Sequence, residues 1–224
     1  MTGLTPAIWN LIWQSTLQTL EMVSLSTLFS VILGLPLGIL LCITTPGRNA
    51  GISPIPVLNE VLSRIVNILR SFPFIILIII LFPLSRLIVG SAIGTKSTIV
   101  PLSIAAAPFV ARIVETALKE VDPGVVQAAK AMGSTNSQIV FKVLLPEALP
   151  SLISGLTLTI INLIGYSAMA GAVGGGGLGD LAIRYGYQRF RPEVMAIAVV
   201  VILVLVEVIQ FIGNRISARM MAKR

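Results

Sequence analysis

Two glycine-rich stretches bring this sequence nearest to a chemistry-bearing motif. GSAIGTKS, from Gly90 to Ser97, is one residue away from a phosphate-binding loop, with Thr95 where the second glycine belongs. A phosphate loop works only between a buried strand and a helix of an α/β domain, and the chain has no room for one. Gly174, Gly176 and Gly179 fit GxGxxG, yet no strand precedes them and no βαβ unit surrounds them. A flexible or tightly turned external loop is the better reading. Metal and covalent chemistry fare no better: there is no histidine, the nine acidic residues are scattered, and the single cysteine, Cys42, lies inside an apolar run as a small core residue. The chain is not expected to be an enzyme.

What polar chemistry remains lies inside apolar segments. Between about Leu149 and Ala170, Ser151, Ser154, Thr157, Thr159, Asn162, Tyr166 and Ser167 interrupt a run of Leu and Ile. Hydrocarbon offers such groups no partners, so several must face other helices or a water-filled path. Asn162, Tyr166, Ser167 and Met169 are the candidate residues of a translocation path. A methionine is flexible enough to plug a narrow pore and to touch a thioether, which makes Met169 a candidate hydrophobic gate; a packing or lipid-facing methionine is the alternative. Arg112 and Glu115, three apart on one helical face, read as an ion pair near the inner interface. Arg70 either snorkels to the headgroups or meets a substrate or partner. Glu207, near the inner end of the last apolar segment, pairs with another helix or reaches the interface.

These residues need helices to position them. Of 224 residues, 55% are hydrophobic and only 11% are charged, too few polar groups to coat a soluble domain. The apolar stretches have the length of helical spans, about 20 residues, and lack the alternation of a membrane barrel. The expected fold is all-α: a polytopic membrane protein with five transmembrane helices, at about 16–43, 64–83, 98–118, 149–170 and 194–212, in a single domain over 1–224. Trp9 and Trp13 mark an interfacial lead-in without lysine or arginine, so not a secretory signal. Gly34 and Gly38 have small-xxx-small spacing in the first span; they form a close-packing face or reflect the general frequency of glycine in membrane helices. The second span is interrupted after Arg64 and Arg70, and Pro101 and Pro108 are expected to bend the third.

Between the third and fourth spans, residues 122–146 read DPGVVQAAKAMGSTNSQIVFKVLLP. Asp122 caps a helix that starts on Pro123 and stops at Gly133, which can turn left-handed. Ser134, Thr135 and Asn136 offer a second cap, and Ile139, Val140, Val143 and Leu144 form an apolar stripe before Pro146 ends the helix. Two short helices with a glycine elbow result.

The order Ala128, Ala129, Gly133, Val143, Leu145, Pro146 resembles the EAA loop of permease subunits of bacterial ABC importers, with Gln127 in place of the usual Glu. Arg70, Ser71 and Pro73, and GYSAMAGAVG from Gly165 to Gly174, resemble most closely the methionine importer permease family. The resemblance extends over nearly the whole chain. It implies a type I ABC importer fold, with Gln127, Ala128, Ala129, Gly133, Leu145 and Pro146 in a cytoplasmic coupling helix that docks on an ATPase subunit. It also implies a homodimer, two ATPase copies, an extracytoplasmic substrate-binding protein and methionine uptake by alternating access. No cofactor is expected in this chain; ATP and Mg belong to the partner ATPase. A permease for another polar amino acid is the near alternative, and a passive channel or membrane scaffold, which would need no coupling loop, the distant one.

Charge sets the orientation. The net charge of +7 is spread over span boundaries rather than gathered for nucleic acid. With the N-terminus outside, the inner side holds Arg48, Arg64, Arg70, Arg112, Lys119, Lys130, Lys142, Arg215, Arg219, Lys223 and Arg224, and the outer side Arg86, Lys96, Arg184, Arg189 and Arg191. This bias places the C-terminus and the hairpin in the cytoplasm, and the resemblance implies that the membrane is the inner membrane of a bacterial cell.

Overall fold

The computed structural model describes residues 6–46 and 52–222. Gly47 and Arg48 after the first span, and Lys223 and Arg224 in the closing basic cluster, lie outside the described residues. Every regular element among the described residues is helical. A lipid environment imposes this, because N–H and C=O groups must pair within their own segment.

In chain order the helices are α1 (Pro6–Thr44), α2 (Pro56–Ser71), α3 (Phe74–Ile80), α4 (Phe82–Val89), α5 (Thr95–Lys119), α6 (Pro123–Ala131), α7 (Asn136–Gln138), α8 (Leu145–Gly171), α9 (Gly177–Leu181) and α10 (Pro192–Met221). Six-residue π-helical segments, Ile139–Leu144 and Ala182–Tyr187, follow α7 and α9. Four helices are long and apolar enough to cross a membrane: α1, α5, α10 and the continuous stretch Asn136–Gly171. Five spans are reached when α2 and α3, on either side of a break, count as one.

Several expected boundaries move. The supposed lead-in is the first part of α1: Pro6 sits in a first turn, where its missing N–H is no loss, and no breaker separates it from Thr16. The second span, expected to be interrupted, takes in parts of three helices: Pro73, extended at ψ 122°, keeps Phe72 out of the helical conformation between α2 and α3, and a second break at Leu81 separates α3 from α4. Pro101 and Pro108 do not interrupt α5. Pro146 does not end the second hairpin helix, which runs through the π segment into α8. In the wider π turns Leu145 N–H donates to Val140 O, five residues back, and the extra room accommodates the proline ring that follows. The last span extends to Met221, so Arg215 and Arg219 are helical. GSAIGTKS connects α4 to α5, with a helix rather than a strand before it.

The chain forms two compact units. In the unit made of the described parts of Met1–Phe29, Phe72–Ala106 and Ile160–Gln210, Met22 and Val23 of α1 pack with Ile78, Leu102, Leu163 and Ile164. The glycine stretch after α8 is fastened there. Gly177 N–H donates to Gln18 Oε1 and Leu178 N–H to Thr19 Oγ1, each at 2.9 Å, so two α1 side chains satisfy the free N–H groups that open α9. The loop is tightly turned, with φ of +83° at Gly174, +79° at Gly176 and +77° at Gly177.

In the other unit (Ser30–Ser71, Ala107–Thr159 and the described part of Phe211–Arg224), Val114, Ala117 and Leu118 of α5 pack with Cys42, Ala129, Ile139, Val140, Ala148 and Leu152. Apolar burial drives little association between helices already in lipid; close packing of small residues does more. Gly34 and Gly38 provide it, since a methyl group would lie 2.6 Å from Ala107 O at Gly34 and 2.5 Å from Ala111 O at Gly38. Their spacing is thus a true contact face. Gly38→Ala is expected to lower stability by about 1–3 kcal/mol, the usual cost of overpacking, whereas Leu40→Ala on the exposed side of α1 should change it by no more than about 0.5 kcal/mol. Thermal unfolding in detergent checks both; equal midpoints would dismiss the contact.

Candidate functional site

The hairpin is built from local hydrogen bonds. Asp122 Oδ1 accepts from Gly124 N–H at 2.7 Å, and Pro123 opens α6. At its other end Gly133 turns left-handed at φ +77°, while Gly133 N–H donates to Lys130 O at 3.0 Å and Ser134 N–H to Ala129 O at 3.1 Å. These are the two bonds of a Schellman ending. Thr135 and Gln138 then close a capping box: Gln138 N–H donates to Thr135 Oγ1 (3.3 Å) and Thr135 N–H to Gln138 Oε1 (2.9 Å).

The two alanines of the motif divide. Ala129 is buried against Ile139 and Val140, but Ala128, with Gln127 and Gly133, is exposed, as a turn of about 100° per residue requires. Leu145 is half-buried and Pro146 exposed. Around them Val125, Phe141 and Met132 are 42%, 63% and 80% exposed, apolar surface of the kind that seeks a partner.

The four path residues separate by face. Asn162 and Met169, two turns apart on α8, are exposed together, with Gly165 between them. Tyr166 is half-buried and stacks on Phe74 with ring centroids 4.6 Å apart. Ser167 is buried and its hydroxyl donates to Ile164 O at 2.8 Å, so its polarity is satisfied within its own helix.

The Arg112–Glu115 pair is present at 2.5 Å and belongs to a larger network. Glu115, only 4% exposed, also accepts from Lys119 Nζ at 2.7 Å, while Arg112 Nη2 donates to Asn67 Oδ1 at 2.9 Å. A carboxylate so buried requires such partners; removing one side of a buried pair costs roughly 3–5 kcal/mol. Arg70 is exposed. Its guanidinium lies over the Phe109 ring, 5.1 Å from the centroid, and lines a cavity of about 360 Å³ with Arg112, Thr116, Glu120 and Ser151. Sequence reasoning left Thr116 and Glu120 aside, although the four-residue steps from Arg112 to Thr116 to Glu120 were a legible stripe. Glu207 is exposed and makes no ion pair among the described residues.

Long apolar helices joined by a capped hairpin with an apolar outer face are the build of a polytopic membrane protein. Residues 34–222 match the binding-protein-dependent transport system inner membrane components, and the chain belongs to that family. It is 51% identical over 221 residues to a probable D-methionine transport system permease protein MetI of Pasteurella multocida, covering 96% of this chain and 98% of that one. It is 52% identical over 159 residues to the methionine import system permease protein MetP of Bacillus subtilis, covering 71% and 72%. A structure of the MetNI methionine ABC transporter in an inward-facing conformation contains a chain that matches with a TM-score of 0.94 at 46% identity, over 97% of this chain and 99% of that one.

Gly133 has open space around a would-be side chain, so its requirement is conformational. Gly133→Val should cost about 1–3 kcal/mol through the left-handed backbone alone and loosen the hairpin, while Gly133→Asn should be tolerated. Hydrogen exchange at the amides of residues 133–138 reads this directly; unchanged protection in Gly133→Val would show that the elbow does not hold the caps together.

Proposed function

We propose that this chain is the membrane-spanning subunit of an ATP-driven methionine importer. The reading rests on one conjunction: the hairpin motif sits on an exposed, well-capped elbow, and the likeness to methionine permeases extends over nearly the full length of both chains. The chain itself hydrolyses nothing. Gln127, Ala128, Ala129, Gly133, Leu145 and Pro146 form the coupling element that engages a separate ATPase, which holds the ATP and Mg²⁺. Two copies of the chain and two of the ATPase make the transporter, and an extracytoplasmic binding protein delivers the solute. Closure of the ATPases moves the hairpins, and because each is continuous with the helix reaching Gly171, the displacement passes into the spans that alternate access. Asn162 and Met169 line the path, with Met169 the gate; Tyr166 and Ser167 support it from behind. The N-terminus lies outside and the C-terminus in the cytoplasm.

Affinity purification of the tagged chain from membranes should bring an ATPase of another chain with it. Vesicles containing both, supplied with the binding protein and ATP, should accumulate radiolabelled methionine. Accumulation by this chain alone would end the proposal, and accumulation of a polar amino acid in preference to methionine would correct its substrate. In a Cys42→Ser background, an impermeant thiol reagent applied to intact cells should label Gln188→Cys and spare Ser134→Cys; the opposite pattern would invert the orientation. Met169→Ala should raise basal ATPase activity or solute leak with assembly intact. If neither changes, Met169 is not the gate.

A further inference from the structure

The turn between the second π segment and α10 holds a large apolar side chain in the open. Phe190 is the only residue other than glycine with a left-handed backbone among the described residues, at φ +53°. Glycine or asparagine would take that conformation easily, whereas a bulky side chain there is an outlier that its surroundings must hold. Those surroundings are tight. Gln188 N–H donates to Ile183 O and Arg191 N–H to Gly186 O, both at 2.9 Å, and Phe190 N–H donates to Tyr187 O at 3.3 Å. Gly186 lies so close to α10 that a methyl group on it would be 2.5 Å from Met195 Cβ. The Arg189 guanidinium covers the Tyr185 ring, 4.4 Å from its centroid. Yet the phenyl ring that this turn presents is 88% exposed, and Tyr187 beside it is 71% exposed. A strained backbone that fixes an apolar group away from the core serves a function rather than the fold.

A bilayer, a second copy of the chain or a soluble protein could receive the ring, and the sequence favours the last. The neighbours of Phe190 are Gln188, Arg189, Arg191, Pro192 and Glu193, all exposed, and α10 turns apolar only at Val194. The ring therefore stands beyond the edge of the apolar span. A twofold contact at this turn would bring its arginines against their own copies. An aromatic ring flanked by arginines on a fixed backbone is the make-up of an interface hot spot, where such side chains carry most of the affinity and prior ordering lowers the cost of binding. We infer that the turn from Tyr187 to Glu193 is a docking point for the extracytoplasmic binding protein: Phe190 enters an apolar recess of that protein, and Arg189 and Arg191 meet carboxylates on its rim. The inference rests on the import reading with the N-terminus outside, which puts the turn on the side from which the binding protein of a binding-protein-dependent system arrives. It adds the residues that receive it.

The complete importer, purified with its ATPase, is placed in nanodiscs, and the binding protein is isolated from the cell envelope of the same organism by its affinity for methionine and labelled with a fluorophore. Equilibrium binding between the two should weaken roughly 10- to 30-fold for Phe190→Ala, the loss of one anchoring aromatic side chain. Phe190→Asn, which relieves the backbone, should weaken binding as much without lowering the unfolding midpoint, so that lost docking and lost folding separate. Phe190→Tyr should keep most of the affinity. Arg191→Gln should weaken binding by roughly 3- to 10-fold and flatten its salt dependence. In uptake assays the Phe190→Ala transporter should need more binding protein for its half-maximal rate but reach the wild-type rate at saturation, a split that misassembly would not produce. Phe190→Ala and Phe190→Asn that bind as the wild type does would overturn the docking point and leave the import reading standing. A disulfide between the two copies of Phe190→Cys in an otherwise cysteine-free importer would overturn it by assigning the turn to the second copy. A spin label at the same cysteine, relaxed by lipid-soluble oxygen and not by aqueous nickel, would overturn it by assigning the ring to the bilayer. ATP-driven methionine uptake that the binding protein does not increase would defeat the import reading as stated, and the docking point with it.

Discussion

The continuous helical run from Asn136 to Gly171 is the constraint on which the rest depends. Two prolines, Pro146 and Pro150, stand in this run, and each removes one ladder hydrogen bond without ending the helix. The π segment at Ile139–Leu144 lets the ladder pass the first of them by widening the turn. The capped elbow and the helix as far as Thr159 therefore belong to one continuous helical run within one compact unit.

Charge is handled by the same economy. Glu115 is buried, and it is held by Arg112 and Lys119 from its own helix and indirectly by Asn67 through Arg112. That network satisfies the most deeply placed carboxylate of the inner end of α5. Arg70 and Glu120 stay outside it, which leaves their charges directed at the cavity rather than at each other.

Glycine serves two different purposes here. At Gly34 and Gly38 it removes side-chain bulk so that α1 can lie against α5 backbone. At Gly133 the space is open and the residue supplies only a left-handed turn. The first use stabilises by contact and the second by conformation, which is why the two respond differently to substitution.

Much was legible in the sequence because it depends on near neighbours. Hydropathy determined the helical membrane class, and the Asp122, Gly133 and Thr135 signals determined the hairpin, since each cap bonds a group only two to five residues away. The Arg112–Glu115 pair followed from a three-residue step, and Gly34 and Gly38 were recognisable as a possible contact face. Proline was where local rules misled: Pro146, expected to end a helix, broke nothing. Only the tertiary structure decided that Gln18 and Thr19 cap a helix 159 residues further on, that Ser167 turns inward while Asn162 and Met169 face out, and that Arg70 shares a cavity with Glu120. These depend on which helix face meets which neighbour, and residues so distant in the chain leave no periodic trace of their meeting.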